Sequence, residues 1–172
     1  LMRFAAVPDS KITLVPMGPM NLGGKREDRD AMRVKYDVPP GGKVALFFGD
    51  MRPDKNLDLL LEAMVPHRDA LYLIIAGRPP SDRNKNLAYY EACVERLGLA
   101  ERVRFIPRYV REDEVVELFS LADWAAMPYS ASFTSQSGVL SVAAHFHTPV
   151  LGTTSPSTRQ AMSQVDIGVM VD

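Results

Sequence analysis

The sequence predicts an α/β fold, a Rossmann-like three-layer α/β/α sandwich built around a mainly parallel sheet. Two observations predict it. Short, continuously apolar runs of strand length alternate with amphipathic helical stretches along nearly the whole chain. Such apolar runs are typical of strands that are buried on both faces of a parallel sheet. The regular alternation of β and α with short connections then favours a doubly wound sandwich.

Apolar spacing and turn-forming residues predict where the individual elements lie. Helix candidates have apolar residues three and four apart, and Pro- or Gly-rich connections separate several elements. The segment Gly23–Arg33 is highly charged and is expected to be a solvated loop that runs into a helix. The strand candidates are Ile12–Val15, Val44–Phe48, Leu71–Ala76, Val103–Ile106, Trp124–Met127, Val150–Gly152 and Val169–Val171, and the helix candidates are Leu57–Met64, Tyr89–Leu97, Glu112–Leu121 and Ser137–Phe146.

Composition bounds the class of protein. A chain of 172 residues has the length of a single domain, 1–172. Its net charge of −1 argues against a protein that binds nucleic acid or an anionic membrane through bulk electrostatics. One cysteine excludes an internal disulfide framework and fits a reducing, cytoplasmic compartment. No apolar run reaches the roughly 18 residues of a membrane span. The first residue is not Met and the last follows an apolar run, so a fragment is expected.

The first candidate site is Gly49–Asn56, GDMRPDKN, which lies between a buried strand and a helix. Ligands of parallel sheets bind beyond the carboxyl ends of the strands, where helix N-termini point at them. Arg52 and Lys55 in this turn could therefore bind a diphosphate together with unpaired backbone N–H groups. The alternative is that both are solvated loop charges.

The second candidate site is Tyr129–Leu140, YSASFTSQSGVL, at the start of a helix that follows a strand. Thr134, Ser135 and Ser137 are plausible N-cap residues, and Gly138 would let the backbone approach a ligand closely. Such a helix start could donate N–H and O–H groups to phosphate oxygens. The alternative is a simple capped helix without a ligand.

These segments, taken in order, resemble the retaining glycosyltransferases of family 4 (glycosyl transferases group 1). The string VALFFGDMRPDKNLDLLLEAM, Val44–Met64, is similar to the family's strand–G–x–x–R–P–x–K–G/N segment with its following helix. The similarity continues through LYLIIAGRP (Leu71–Pro79) and through Val103–Tyr129 with its A–D–x–x–x–x–P pattern. It also includes SFTSQSGVLSVAAHFHTPVLGT (Ser132–Thr153), which resembles a variant of the family's donor-site helix.

The resemblance implies a GT-B architecture, in which two Rossmann-like domains face each other across a cleft. This chain resembles the C-terminal, donor-binding domain, and residues 1–20 resemble the segment that enters it from the interdomain linker. By this resemblance, Arg52 and Lys55 would be catalytic, because they would neutralise the donor's diphosphate as it leaves. By the same resemblance, the nucleotide base would lie against Tyr109 and Val110. The phosphates would contact the helix start at Ser135, Ser137, Gly138 and Val139, and Gly49 would also belong to the donor-binding residues.

The resemblance also implies the partners. The donor would be a nucleotide-diphosphate sugar, with no cofactor and no metal in the site. The acceptor, a glycan, a lipid-linked sugar or a small molecule, would be held by a missing N-terminal domain, so the fragment alone is expected to be inactive. The full-length protein would be a cytoplasmic hexosyltransferase-like enzyme, at most peripherally associated with the inner face of the membrane, and it would not bind nucleic acid.

Some positions depart from the family's pattern. The two glutamates that usually flank the donor helix start are replaced by Thr134 and Val142, and neither can do a carboxylate's work. This motivates an alternative function, a non-catalytic nucleotide-binding or interaction module with a degenerate glycosyltransferase fold. A third option is another GT-B enzyme, such as a sugar-nucleotide 2-epimerase. Asp28 and Asp30 form a D-x-D pattern in a charged run, which we interpret as a solvated loop rather than a metal site.

Overall fold

A computed structural model describes residues 8–13, 15, 20, 22–80, 85–163 and 166–171 of the chain. Six strands form one sheet, in which every neighbouring pair is parallel. Their spatial order is β3-β2-β1-β4-β5-β6, so the order reverses between β1 and β4. This is the order of a doubly wound Rossmann-like sheet. The strands are β1 Lys43–Phe48, β2 Leu71–Ala76, β3 Val103–Ile106, β4 Trp124–Met127, β5 Val150–Thr153 and β6 Gly168–Val171.

Helices cover both faces of the sheet. Two of them, α2 and α3, pack on one face, whereas α1, α4, α5 and Met162 of α6 contribute to the apolar cluster on the other. The sheet therefore lies between two helical layers, which confirms the predicted three-layer sandwich. The helices are α1 Arg29–Lys35, α2 Leu57–Met64, α3 Leu87–Arg96, α4 Glu112–Leu121, α5 Gly138–His145 and α6 Pro156–Met162.

Strand β1 shows why its sequence is continuously apolar. Val44 and Leu46 belong to the core on the α4/α5 face, and Ala45 and Phe47 belong to the core on the α2/α3 face. Successive side chains of a strand point to opposite faces, so a strand covered on both sides has no position that favours a polar residue.

Most of the predicted elements are confirmed, several of them to the residue, and one is wrong. The strand expected over Ile12–Val15 does not form. Its described residues, 12, 13 and 15, belong to no helix or strand, and Leu14 lies outside the described residues. Of the linker-like segment 1–20, the described residues contain a short 3-10 turn, Asp9–Lys11. Helix α6 was not expected from the sequence. Within the described ranges, no helix has the length and apolarity needed to cross a membrane.

Candidate functional site

The loops after β1 and β4 meet at the carboxyl edge of the sheet, where the strand order reverses. The backbone N–H of Ser130 donates a hydrogen bond of 2.9 Å to the carbonyl of Asp54, which ties the two loops together. In doubly wound sheets this switch point opens a crevice that holds the ligand. The fold therefore brings both sequence-predicted candidate segments to one place.

Lys55 lies between β1 and the loop after β4 and is 8% exposed. Its Nζ is 5.9 Å from the ring centroid of Phe47 and 5.6 Å from that of Tyr129. Gly49 has a φ of +94°, a conformation that favours glycine, and a Cβ at this position would lie 2.8 Å from the Nζ of Lys55. Lys55 is thus a buried lysine, and not the solvated loop charge that the sequence also allowed.

The ammonium of Lys55 has no hydrogen-bond or ion-pair partner among the described residues. Burial lowers the pKa of this ammonium to about 8, and the positive charge of Arg52 acts in the same direction, while Asp50 and Asp54 oppose the shift. A buried cation without a partner is costly. An anionic ligand in the crevice would supply the missing partner.

Arg52 is held in place by two contacts. Its Nε and Nη2 donate to the two carboxylate oxygens of Asp54, at 3.0 and 2.6 Å. Its guanidinium also lies 5.4 Å from the ring centroid of Phe133, in the loop after β4. The side chain is 47% exposed, so its guanidinium is accessible to a ligand. Arg52 and Lys55 therefore lie in the same turn, and among the described residues Arg52 has an ion-pair partner whereas Lys55 has none.

The start of α5 faces the crevice as the sequence suggests, although Ser137 does not act as a side-chain cap. Ser137 occupies the N-cap position, but its hydroxyl makes a 3.1 Å hydrogen bond with the hydroxyl of Tyr129. Among the described residues, no hydrogen bond uses the backbone N–H groups of Gly138 and Val139. These two N–H groups are available to a phosphate. Ser135 is exposed, in the loop three residues before the helix.

Two other predicted site residues are oriented toward the core. The side chains of Val110 and Val139 are buried in the cluster under α4 and α5, so each can contact a ligand only through its backbone. Tyr109, directly before Val110, is 69% exposed. Nearby, Arg108 pairs with Glu114 and lowers the pKa of that carboxyl group to about 2, which fixes the start of α4.

A second pair of residues was missed by the sequence argument. Arg78, which follows β2, donates through Nε and Nη2 to the carboxylate of Asp50, at 3.0 and 2.7 Å. Both β1 and β2 are followed by a glycine and then a charged residue, and that shared pattern is the signal that could have revealed the pair. A Cβ on Gly77 would lie 2.0 Å from the carbonyl oxygen of Gly49, so the two loops pack backbone to backbone.

Thr134 and Val142 occupy the two positions at which the sequence comparison expected glutamates. Thr134 is exposed, and Val142 is buried in the core, where it cannot contact a ligand in the crevice. Asp28 caps α1, since its carboxylate accepts a hydrogen bond of 2.8 Å from the N–H of Ala31. Over the described ranges, no group of three or more His, Cys, Asp or Glu side chains could hold a metal ion.

Comparison with known proteins gives consistent matches. The family model of glycosyl transferases group 1 matches residues 28–172. The D-inositol 3-phosphate glycosyltransferase of Nocardia farcinica is 31% identical over 169 residues, which cover 94% of this chain and 36% of that protein. The chain spans about a third of the length of the curated relatives it matches.

Two solved structures share the fold. HepE of Anabaena, in complex with UDP and glucose, has a TM-score of 0.70 at 20% identity, over 83% of this chain and 37% of that one. The C-terminal domain of the glycosyl transferase group 1 family protein LpcC from Francisella tularensis has a TM-score of 0.66 at 17% identity, over 85% and 75% of the two chains. At these identities the structures show a common fold.

Proposed function

Because the chain belongs to the family of glycosyl transferases group 1, we propose that it is the donor-binding domain of a glycosyltransferase. In this proposal the enzyme transfers a sugar from a nucleotide-diphosphate sugar to an acceptor, with retention at the anomeric carbon as in family 4. The placement as a C-terminal domain is supported by the likeness to the C-terminal domain of LpcC. The binding of a nucleotide sugar is supported by HepE, whose structure contains UDP and glucose.

The observation that carries the proposal is the buried ammonium of Lys55 at the switch point, for which the described residues provide no hydrogen-bond or ion-pair partner. When the bond between the anomeric carbon and the diphosphate breaks, negative charge accumulates on the leaving phosphate oxygens. A cation already fixed at that place stabilises the charge without reorganisation. Arg52 and the N–H groups at the start of α5 would stabilise the same negative charge, so the site would need no metal.

The loops around Lys55 suggest where the other groups of the donor would bind. The α- and β-phosphates would lie between Lys55, Gly49 and the first N–H groups of α5, and the base would lie near Tyr109 and Val110. The acceptor would be bound by another part of a longer protein, which would be cytoplasmic and at most peripherally attached to the membrane. We expect the 172-residue chain alone to bind donor but to transfer nothing.

Isothermal titration calorimetry with UDP, GDP and ADP tests the proposal. At least one of the three should bind the chain, and Lys55→Ala should weaken that binding by about 1–3 kcal/mol, the worth of a charge-assisted contact. Lys25→Ala, at an exposed position, is the matched control and should leave the affinity unchanged. No binding by any of the three at millimolar concentration would refute the donor site.

A second candidate is a nucleotide-binding or interaction module without catalysis. It is favoured by the absence of a carboxylate at Thr134 and Val142. The two candidates differ in the full-length protein. Binding of a nucleotide sugar with neither transfer nor hydrolysis, across a set of acceptors, would favour the module.

A further inference from the structure

Two ion pairs lie beside the buried ammonium of Lys55, in the loops after β1 and β2. Arg52 binds both carboxylate oxygens of Asp54, and Arg78 binds both carboxylate oxygens of Asp50. We propose that Arg78 is a positioning residue, which holds the Asp50 carboxylate away from Lys55 and so keeps the ammonium open to an anionic ligand. The inference rests on the proposed function, because it takes that ligand to be the diphosphate of the donor.

The carboxylate of Asp50 lies near enough to Lys55 to compete for its ammonium. The Nζ of Lys55 lies against the backbone of Gly49, where a Cβ would be only 2.8 Å away, and Asp50 is the next residue. Burial lowers the pKa of Lys55, and the charge of Asp50 opposes that shift. The hydrogen bond from Arg78 holds the pKa of the Asp50 carboxyl below its usual value, and the charge of Lys55 acts in the same direction.

Arg78 binds Asp50 in the geometry that a carboxylate favours. Its Nε and Nη2 donate to the two carboxylate oxygens at 3.0 and 2.7 Å, so the pair is bidentate. The Asp50 side chain remains 44% exposed in this pair. Pairing with the buried ammonium of Lys55 would instead take the carboxylate out of water, which costs free energy. Asp50 therefore stays with Arg78 as long as the arginine is present.

The backbone around the pair is fixed without these two side chains. The N–H of Met51 donates to the carbonyl of Arg78 at 2.9 Å, and the N–H of Gly49 donates to the carbonyl of Ala76 at 2.8 Å. The Arg78 side chain is 62% exposed, and an exposed ion pair adds little to stability. Replacement of Arg78 by glutamine therefore releases Asp50 and leaves the fold intact.

Without Arg78, Lys55 is the cation to which Asp50 turns. Arg52 also lies near Asp50, but its Nε and Nη2 are already used on Asp54. Lys55 has no such partner among the described residues. A carboxylate bound to Lys55 would occupy the place of a phosphate oxygen, so the diphosphate would have to displace it.

Calorimetry with the tightest-binding of UDP, GDP and ADP measures the effect on affinity. Arg78→Gln should weaken binding by about tenfold or more, because a charge-assisted contact must be broken first. Asp50→Asn should bind at least as tightly as the unmodified chain. The double variant Asp50→Asn/Arg78→Gln should recover the affinity of Asp50→Asn to within about twofold. Arg111→Gln is the matched control and should change nothing, because Arg111 binds Asp113 through the same two nitrogens in an exposed pair at the start of α4.

A second measurement reads the position of Asp50 without any ligand. The Cε signal of Lys55, assigned by its loss in Lys55→Met, is followed by NMR at increasing pH in the free protein. The other groups around the ammonium do not titrate near the pKa of Lys55. Arg52 and Asp54 stay charged, and the hydroxyl of Tyr129, whose pKa burial raises to about 12, stays neutral. A change in the pKa of Lys55 therefore reports on Asp50.

The three proteins should differ in the pKa of Lys55. In the unmodified chain it should be about 8, the value that burial gives it. Arg78→Gln should raise this pKa to about 9 or above, since an opposite charge in contact favours the charged ammonium. The double variant should return it to about 8 or lower, because the carboxylate is gone.

The outcomes separate this inference from the proposed function. An unchanged pKa of Lys55 or an unchanged affinity in Arg78→Gln overturns the positioning role. Arg78 also lies near Tyr109, which we place against the base, so direct contact with the ligand is the alternative. In that case the double variant would not recover the affinity, and the inference would be overturned. If no diphosphate binds the unmodified chain, the proposed function fails, while the pKa of Lys55 in the two variants still decides whether Arg78 positions Asp50.

Discussion

Replacement of Lys55 by methionine should make the free protein more stable and weaken binding of the diphosphate by about 1–3 kcal/mol. Methionine fills a similar volume without a charge, so the substitution removes the cost of a buried ammonium and preserves the packing. The pKa of Lys55 is lowered from 10.5 to about 8. At 1.36 kcal/mol per unit, the cost of keeping the group charged is about 3 kcal/mol.

Two contacts offset part of that gain. The rings of Phe47 and Tyr129 lie near the outer limit of a cation–π interaction, and together they are worth about 1 kcal/mol. A net stabilisation of about 2 kcal/mol at pH 7 remains. For a chain of this length it corresponds to a rise in Tm of about 4–8 °C.

The sign of the pH dependence provides a second check. A lysine with a lowered pKa destabilises the folded state as long as it is protonated there, so the cost is present in full below pH 8. It decreases as the pH rises from about 8 to the value of the unfolded chain, about 10.4. The advantage of Lys55→Met over the unmodified protein should therefore shrink across this range.

Thermal unfolding followed by circular dichroism, at pH 7 and at pH 10, measures both effects. Lys25→Met is the control, because Lys25 is exposed and its replacement should change Tm very little. A Lys55→Met variant that is less stable than the unmodified chain at pH 7, or whose advantage does not depend on pH, would show that the Lys55 ammonium does not destabilise the free protein.

Four further outcomes follow from the structure. Gly77→Ala should destabilise the chain by more than about 2 kcal/mol in urea unfolding, because its Cβ would meet the carbonyl of Gly49; an unchanged midpoint would contradict this. Tyr129→Phe should cost about 1 kcal/mol by the same method, since it removes the hydrogen bond to Ser137. Above pH 8 the diphosphate affinity should fall by up to tenfold per pH unit as Lys55 loses its proton, and a flat calorimetric profile to pH 9.5 would argue against this role. EDTA should leave the diphosphate affinity unchanged in calorimetry, whereas a loss of affinity on adding EDTA would point to a metal in the site.

The parts of the fold that follow from local pattern were predictable from the sequence. Leu57–Met64 and Glu112–Leu121 were predicted to the residue from their apolar periodicity, and Leu71–Ala76 was predicted to the residue from a continuous apolar run. The described residues of Ile12–Val15 belong to no strand although the segment is mostly apolar, because a strand is stabilised by packing against neighbouring strands as well as by its propensity. Helix α6 was missed because its sequence is polar, although Ser155 before Pro156 is a recognisable helix start.

The site was predictable in outline but not in its electrostatics. Local sequence places Arg52 and Lys55 in one turn, but it cannot tell which of them is buried. Burial of Lys55 depends on Tyr129, more than seventy positions away in the chain, and neutralisation of Arg52 depends on the conformation of Asp54. The pairing of Asp50 with Arg78 is likewise made by two different loops at the edge of the sheet.

We propose that the crevice at the switch point holds the diphosphate of a nucleotide on Lys55 and the start of α5. A crystal structure of the chain with its tightest-binding nucleoside diphosphate tests this most directly. We expect a phosphate oxygen within about 3 Å of Lys55 Nζ, and another within about 3 Å of the N–H of Gly138 or Val139. A diphosphate bound elsewhere on the surface, with Lys55 still without a partner, would contradict the claim.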